Sequence, residues 1–277
     1  MKIAKNIAEL QLALKALPDD LALIPTMGAL HDGHLSLVEL AQSQAKATAV
    51  SIFVNPSQFN NSDDLKQYPR TIDVDLEKLE KAGVDLVFTP DASEIYPKDF
   101  QTNISVSKLS QTMEGEFRPG HFEGVATIVT ILLNLFQPKK IIFGEKDFQQ
   151  LCLIKKLVGD LKIPTAIIPA PIYREESGLA MSSRNTLLSR NDRITASHIY
   201  QGLCLAHSQV QAGVVDCEEI IGKCMEFFND EEDITVEYLR IVDSEKLEGQ
   251  KEIHNHSRIF FAGFVAGVRL IDNIQLV

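Results

Sequence analysis

The sequence predicts an α/β protein: a doubly wound parallel (Rossmann-like) sheet followed by a smaller C-terminal α+β domain. Three observations carry this prediction. Residues 21–24, 47–54 and 140–143 are apolar or β-branched runs with little alternation, as strands buried on both faces are. Segments of helical period separate such runs, with short links. Past Ser177 the order changes to helices followed by strand-like stretches. The boundaries read this way are 1–176 for the sheet domain and 177–277 for the smaller one, joined near residues 177–189.

Taken in order, residues 5–16 read as a short amphipathic helix. The run 21–24 ends in Pro25-Thr26 and a tight turn with Gly28. After His31-Asp32-Gly33-His34 the period changes, and Leu35, Val38 and Ala41 start a helix near His34. Strand 47–54 ends at Asn55-Pro56-Ser57-Gln58-Phe59. Thr71 caps a helix with Asp73 and Asp75 in its first turn and Gly83 at its end. Residues 84–88 form the next strand, 102–107 alternate and read as an edge strand, and 122–136 form a long apolar helix. Strand 140–143 ends in the turn Gly144-Glu145-Lys146-Asp147, helix 147–158 follows, and 165–168 is a strand. In the second domain Met181-Ser182-Ser183-Arg184-Asn185 lies in a loop. A helix with Ile199, Leu203, Ala206 and Val210 on one face follows, and another runs from about Cys217 to Phe228. Segments 235–242 and 258–270 read as strands that can pair.

With 277 residues and 45% hydrophobic content, the chain can bury a substantial core. A net charge of −11 argues against a broad nucleic-acid or anionic-membrane surface. The start MKIAKNIAEL lacks the apolar core of a secretory signal, and no apolar run is long enough to span a bilayer. None of Cys152, Cys204, Cys217 and Cys224 forms C-x-x-C, so reduced thiols in a cytoplasmic protein are expected.

Ligands of doubly wound sheets bind at the carboxyl ends of strands. Three polar clusters fall there: the histidine loop, Asn55 with Gln58, and residues 144–147. A strand, a small-residue loop and a helix start present backbone N–H groups and the positive end of a helix dipole to an anion. His31 and His34, three apart, share a face and can donate to phosphate oxygens. No third ligand at nearby spacing makes them a metal site, so none is expected. Lys146 can neutralise phosphate charge, and Gln150, one helical turn on, can bind a hydroxyl or carboxylate. The hydroxyls of Ser182 and Ser183 and the guanidinium of Arg184 are hydrogen-bond donors in a polar loop. Asn55 and Gln58 are neutral amides suited to orienting a carboxylate. Arg118 is equally suited to lining the pocket and to capping the long helix, whereas His198, His207, His254 and His256 have no supporting motif. No G-x-G-x-x-G follows the first apolar run, which disfavours a dinucleotide dehydrogenase.

The H-x-G-H turn resembles the HIGH-type signature of the adenylyl-transferring superfamily, and M-S-S-R resembles a shortened KMSKS loop. In order along the chain, PTMGALHDGHLSLV, SIFVNPSQF, YPRT, RPGHFEGV, FGEKDFQQL and GLAMSSRN resemble the pantothenate synthetase (pantoate–β-alanine ligase) family. VEYLRIVD extends the likeness more loosely into the second domain. The resemblance implies an ATP-dependent ligase that joins pantoate to β-alanine through a pantoyl-adenylate, with Mg²⁺ on the triphosphate, pyrophosphate and AMP as products, and a homodimeric assembly. It places ATP contacts on Met27, Gly28, Ala29, Leu30, His31, Asp32, Gly33 and His34, on Gly144, Glu145, Lys146 and Asp147, and on Tyr173, Met181, Ser182, Ser183 and Arg184. Within that set it implies catalytic roles for His34, His31, Lys146, Ser182, Ser183 and Arg184. Gln58 matches a glutamine that touches both pantoate and β-alanine, and Gln150 a second pantoate glutamine. Ser57 stands where the family often has Met or Thr, and Tyr173 where it often has Val, a position that contributes backbone to adenine. Pantoate is already a carboxylate near pH 7, so adenylation needs placement and charge stabilisation rather than a general base. A nucleotidylyltransferase and a non-enzymatic nucleotide-binding module remain as alternatives. The two glutamines favour a small carboxylate over a phosphate acceptor.

Overall fold

The computed structural model describes residues 1–60, 65–66 and 68–277. The chain divides into two units, one of residues 1–145 and 149–171, the other of residues 146–148 and 172–277.

The first unit is a six-stranded, all-parallel sheet in the order β1-β4-β3-β2-β5-β6. Its strands are β1 (Lys2–Ala4), β2 (Leu21–Thr26), β3 (Ala47–Ile52), β4 (Leu86–Phe88), β5 (Lys140–Gly144) and β6 (Ala166–Ala170). Every residue of β3 is buried, which is why the strand reads as an uninterrupted apolar run. Helices α1 (Ile7–Leu14), α2 (Asp32–Gln44), α3 (Ile72–Lys81) and α6 (His121–Phe136) connect the strands, with one-turn helices α4 (Ala92–Ile95) and α5 (Glu114–Phe117) before α6. α7 (Phe148–Asp160) links β5 to β6. Ala22, Ile24, Val50 and Val87 pack with Val38 and Ala41 of α2 and Leu79 of α3. Side chains alternate along a strand, and the next residue of β4, Phe88, meets Phe136 of α6 edge-on at 5.8 Å. The sheet therefore carries helices on both faces.

Several expectations are corrected. The short β1 pairs with β4 and was too brief to show a period. Residues 102–107 form no strand. They lie against α6, with Ile104 N–H donating to Thr127 Oγ1 (3.1 Å), and the sheet edges are β1 and β6 instead. α2 begins at Asp32, two residues before His34, and His31 is its N-cap. Thr71 occupies the N-cap position of α3, but its hydroxyl donates to Asp75 Oδ1 (3.2 Å) rather than accepting from the backbone.

In the second unit α8 (Arg190–Gln211) and α9 (Cys217–Asn229) pack on an antiparallel sheet, β7 (Ile234–Asp243), β8 (Ser257–Val265) and β9 (Val268–Gln275). Ser189 starts α8 with a capping box closed by Asp192. Ile199, Leu203 and Ala206 of α8 meet Ile220, Cys224 and Phe228 of α9 and Ile259 and Phe261 of β8. The stretch 258–270 is not one strand. Ala266 (φ 49°) and Gly267 (φ 78°) turn it into the β8–β9 hairpin, the left-handed pair a tight two-residue turn requires. Among the described residues no helix is long and apolar enough to cross a membrane.

Candidate active site

β2 pairs with β3 on one side and β5 on the other, so the strand order reverses at β2/β5. This is the switch point at which open α/β sheets leave a crevice beyond the carboxyl strand ends. The histidine loop leaves β2, Asn55 and Gln58 follow β3, and Gly144 ends β5. The first two clusters found in the sequence, and Gly144 of the third, thus sit on adjacent strand ends.

The loop after β2 is built by partners far away in the chain. Gly28 (φ 82°) and Ala29 (φ 50°) take left-handed conformations. The buried carboxylate of Asp75 accepts the Ala29 and Leu30 N–H groups, both at 2.8 Å, and Lys78, one turn along α3, donates to the Leu30 carbonyl. Gly28 N–H donates to Thr26 Oγ1 (3.3 Å) and His34 N–H to the His31 carbonyl (2.8 Å). The open row of backbone donors expected here is therefore largely occupied from within the chain. What the loop offers an anion is the N-terminal end of α2 and its two imidazoles. The rings of His31 and His34 lie 4.1 Å apart between centroids. His31 N–H donates to His34 Nδ1 (3.3 Å), so Nδ1 is an acceptor and the neutral ring carries its proton on Nε2.

Asn55 is buried and its orientation is set by backbone groups at both ends. Its Oδ1 accepts from Ser57 N–H (3.4 Å) and its Nδ2 donates to the Gly124 carbonyl (3.1 Å). Nδ2 also donates to Gln58 Oε1 (2.9 Å), which makes Nε2 the donor end of Gln58. Tyr96 donates its hydroxyl to Asn55 Oδ1 (2.9 Å), and Ser57 Oγ reaches both (2.8 Å to Asn55, 3.1 Å to Tyr96). Burial pushes the Tyr96 phenol up, keeping it a neutral donor. Ser57 thus joins a polar network rather than merely altering packing. The Gln58 carbonyl accepts from His121 Nδ1 (2.8 Å) and lies 3.5 Å from Arg118. Arg118 also pairs with Glu114 (3.5 Å); it is the C-cap of α5, and its carbonyl accepts the His121 N–H (3.0 Å) at the start of α6, whose N-cap position is held by Gly120.

Lys146 lies in a 3-10 turn, Glu145–Asp147, before α7, not on the helix that carries Gln150. Lys146 belongs to the second unit and Gln150 to the first. In the second unit the Tyr173 carbonyl accepts from Met181 N–H (2.9 Å) and its side chain is exposed. Ser182 caps a 3-10 turn, Ser183–Leu187, with its hydroxyl accepting Arg184 N–H (3.3 Å), so the stretch read as loop is partly helical. Asp272 receives Arg174 at 2.6 and 2.9 Å. Burial pushes its carboxyl up, and the Arg174 guanidinium opposes that push in part. The residues missed in the sequence are Asp75, Tyr96 and Asp272. Each reads locally as a helix-start or surface residue, and only its burial against a distant partner marks it.

A switch-point loop with two adjacent, mutually tilted histidines beside an oriented, buried amide defines the class as a Rossmann-like α/β enzyme. A family model described as pantoate-beta-alanine ligase matches residues 2–275. Pantothenate synthetase of Aquifex aeolicus is 46% identical over 255 residues, covering 92% of this chain and 90% of that protein. That of Paracoccus denitrificans is 43% identical over 277 residues, covering 99% and 98%. The crystal structure of pantothenate synthetase from Thermus thermophilus matches with a TM-score of 0.95 at 39% identity, covering 100% of this chain and 99% of that one. A Francisella tularensis pantoate-beta-alanine ligase, solved with a β,γ-ATP compound and β-alanine, matches with a TM-score of 0.84 at 37% identity, covering 100% and 98%. The chain belongs to the pantoate-β-alanine ligase family.

Proposed function

We propose that this enzyme condenses pantoate with β-alanine in two ATP-dependent half-reactions, with the residues above in defined roles. A pantoate carboxylate oxygen attacks the α-phosphorus of ATP and the bond to the β,γ-pyrophosphate breaks, giving pantoyl-adenylate. The amine of β-alanine then attacks the acyl carbon. The C–O bond to AMP breaks, the amide forms, and the amine gives up a proton. Family membership supports the reaction. The observation that carries the assignment of roles is the oriented Gln58 amide, in the 3-10 turn after β3, the strand paired with the one that leads into the histidine loop.

His34, protonated on Nε2, donates to the α-phosphate as charge concentrates there, with His31 beside it. ATP contacts are assigned to residues 27–34, 144–147, Tyr173 and 181–184. Lys146 and Arg184 neutralise charge on the leaving pyrophosphate, and the Ser182 and Ser183 hydroxyls donate to it. Gln58 and Gln150 hold pantoate through neutral amides, which orient a carboxylate without the strong pairing that would dull its attack, and Gln58 also meets β-alanine. Among the described residues no three His, Cys, Asp or Glu side chains converge as metal ligands. Mg²⁺ on the triphosphate would supply further charge neutralisation there. We assign a cytoplasmic homodimer acting on small molecules only, without nucleic acid or membrane partners; light scattering tests the assembly state.

Product analysis with ATP, pantoate and β-alanine, each omitted in turn, tests the reaction. All three together should give pantothenate, AMP and pyrophosphate. ATP and pantoate alone should give pyrophosphate only to the amount of enzyme. Multiple turnovers of adenylyl transfer to a phosphorylated acceptor, without β-alanine, would instead identify a nucleotidylyltransferase.

A further inference from the structure

Within the second unit, the Lys146 turn is fastened to the C-terminal sheet. Asn273 of β9 donates from Nδ2 to the Lys146 carbonyl (3.0 Å), and its Oδ1 accepts from Arg258 Nη1 of β8 (2.5 Å). The Arg258 guanidinium lies over the ring of Phe148 at 3.8 Å, and Phe148 meets Phe260 edge-on at 5.9 Å. The turn is thus held on both sides of Asp147. The neighbouring residue, Asp272, clamps Arg174, whose Nη1 donates to the Gly178 carbonyl (3.0 Å) and whose guanidinium covers Tyr200 at 3.9 Å. Arg174 and Ala180 form an antiparallel bridge at the root of the 181–184 turn. Two consecutive residues of β9 therefore anchor the two segments of this unit to which the phosphate contacts are assigned.

We infer that Asn273 is a positioning residue for Lys146, tying the lysine turn to the frame that also roots Ser182, Ser183 and Arg184; this rests on the function proposed above. The amide does the fastening from its own geometry. Oδ1 is committed to Arg258, so Nδ2 must face the Lys146 carbonyl, and no other common side chain of that size offers a donor and an acceptor in one plane. The carbonyl belongs to the residue whose ammonium must meet the triphosphate. A misplacement of about 1 Å in such a group can cost on the order of 10²-fold in rate.

The test compares Asn273→Ala and Asn273→Asp with wild type by single-turnover formation of pantoyl-adenylate, steady-state KM for pantoate, and thermal unfolding. Asn273→Ala removes donor and acceptor, while Asn273→Asp keeps the acceptor and the shape. Both should slow adenylate formation by about 10- to 100-fold per folded enzyme, with the pantoate KM within about twofold of wild type, a split that general structural damage does not give. In a Lys146→Ala background Asn273→Ala should cost little further, because the residue acts through the lysine. Near-normal adenylate formation by folded Asn273→Ala would overturn the inference. So would a loss no larger than the unfolded fraction, or the same fold-loss with and without Lys146. A wild-type enzyme that made no adenylate would overturn the proposed function instead, before any variant was compared.

Discussion

His34 shows how little of a side chain's chemistry lies in its identity alone. Its Nδ1 is held by the backbone N–H of His31, and that single contact selects the Nε2–H tautomer able to donate. His34→Ala should slow pantoyl-adenylate formation by about 10²–10³-fold, roughly 3–4 kcal/mol, with a smaller change in ATP affinity. His34→Gln should recover part of the rate. Single-turnover assays with thermal unfolding as control check this, and near-normal adenylation by a folded His34→Ala enzyme would refute the role. Gln58→Ala and Gln150→Ala should raise the pantoate KM while leaving ATP affinity close to wild type. Loss of a buried polar partner costs about 1–3 kcal/mol, or about five- to 150-fold. Normal pantoate KM values with collapsed ATP binding would reverse the assignment.

At the scale of elements, the site depends on how closely α6 approaches the turn after β3. A Cβ on Gly124 would lie 2.4 Å from the Ser57 carbonyl oxygen and 2.7 Å from Gln58 N. These are backbone atoms and cannot rotate away, and the same turn carries Asn55's hold on Gln58. Gly124→Ala should therefore destabilise the protein by about 1–3 kcal/mol through overpacking and raise the pantoate KM by displacing Gln58. Gly222 in α9 has nothing within 4 Å of its Cβ position. There the same substitution should be neutral or stabilise by about 0.5–1 kcal/mol, since glycine weakens a helix interior. Urea unfolding of the two variants separates the cases. An undisturbed Gly124→Ala enzyme would mean that α6 does not set the turn.

Across the whole molecule the four cysteines are free thiols rather than disulfides. Cys152, Cys217 and Cys224 are buried and Cys204 is exposed. Burial pushes both Cys217 and Cys224 up to about 11 from a usual 9.0. A native chain should thus react with a thiol reagent at pH 8 chiefly at Cys204, and at all four sites once unfolded. The folded state favours the neutral thiols, so their contribution to stability is intact below about pH 9 and is lost as pH rises toward 11. The melting temperature should fall across that range, and less steeply in a Cys217→Ala, Cys224→Ala variant; equal slopes would show that other groups govern the alkaline limb.

What the sequence by itself determined was local. It marked the strand ends, the turn at Gly28, the helix that carries His34, and the polar clusters after β2, β3 and β5, because period and turn chemistry act between residues a few positions apart. The tertiary structure decided the rest. It placed β2 between β3 and β5, so that the histidine loop, the Asn55–Gln58 turn and Gly144 leave neighbouring strands. It laid residues 102–107 along α6 instead of at a sheet edge. It closed the backbone donors of the histidine loop with a carboxylate 46 positions away from Ala29, and fastened Lys146 to an asparagine 127 positions away. A contact across such a separation leaves no mark in any local window, because its free energy comes from burial and hydrogen bonding that exist only once both partners have been brought together.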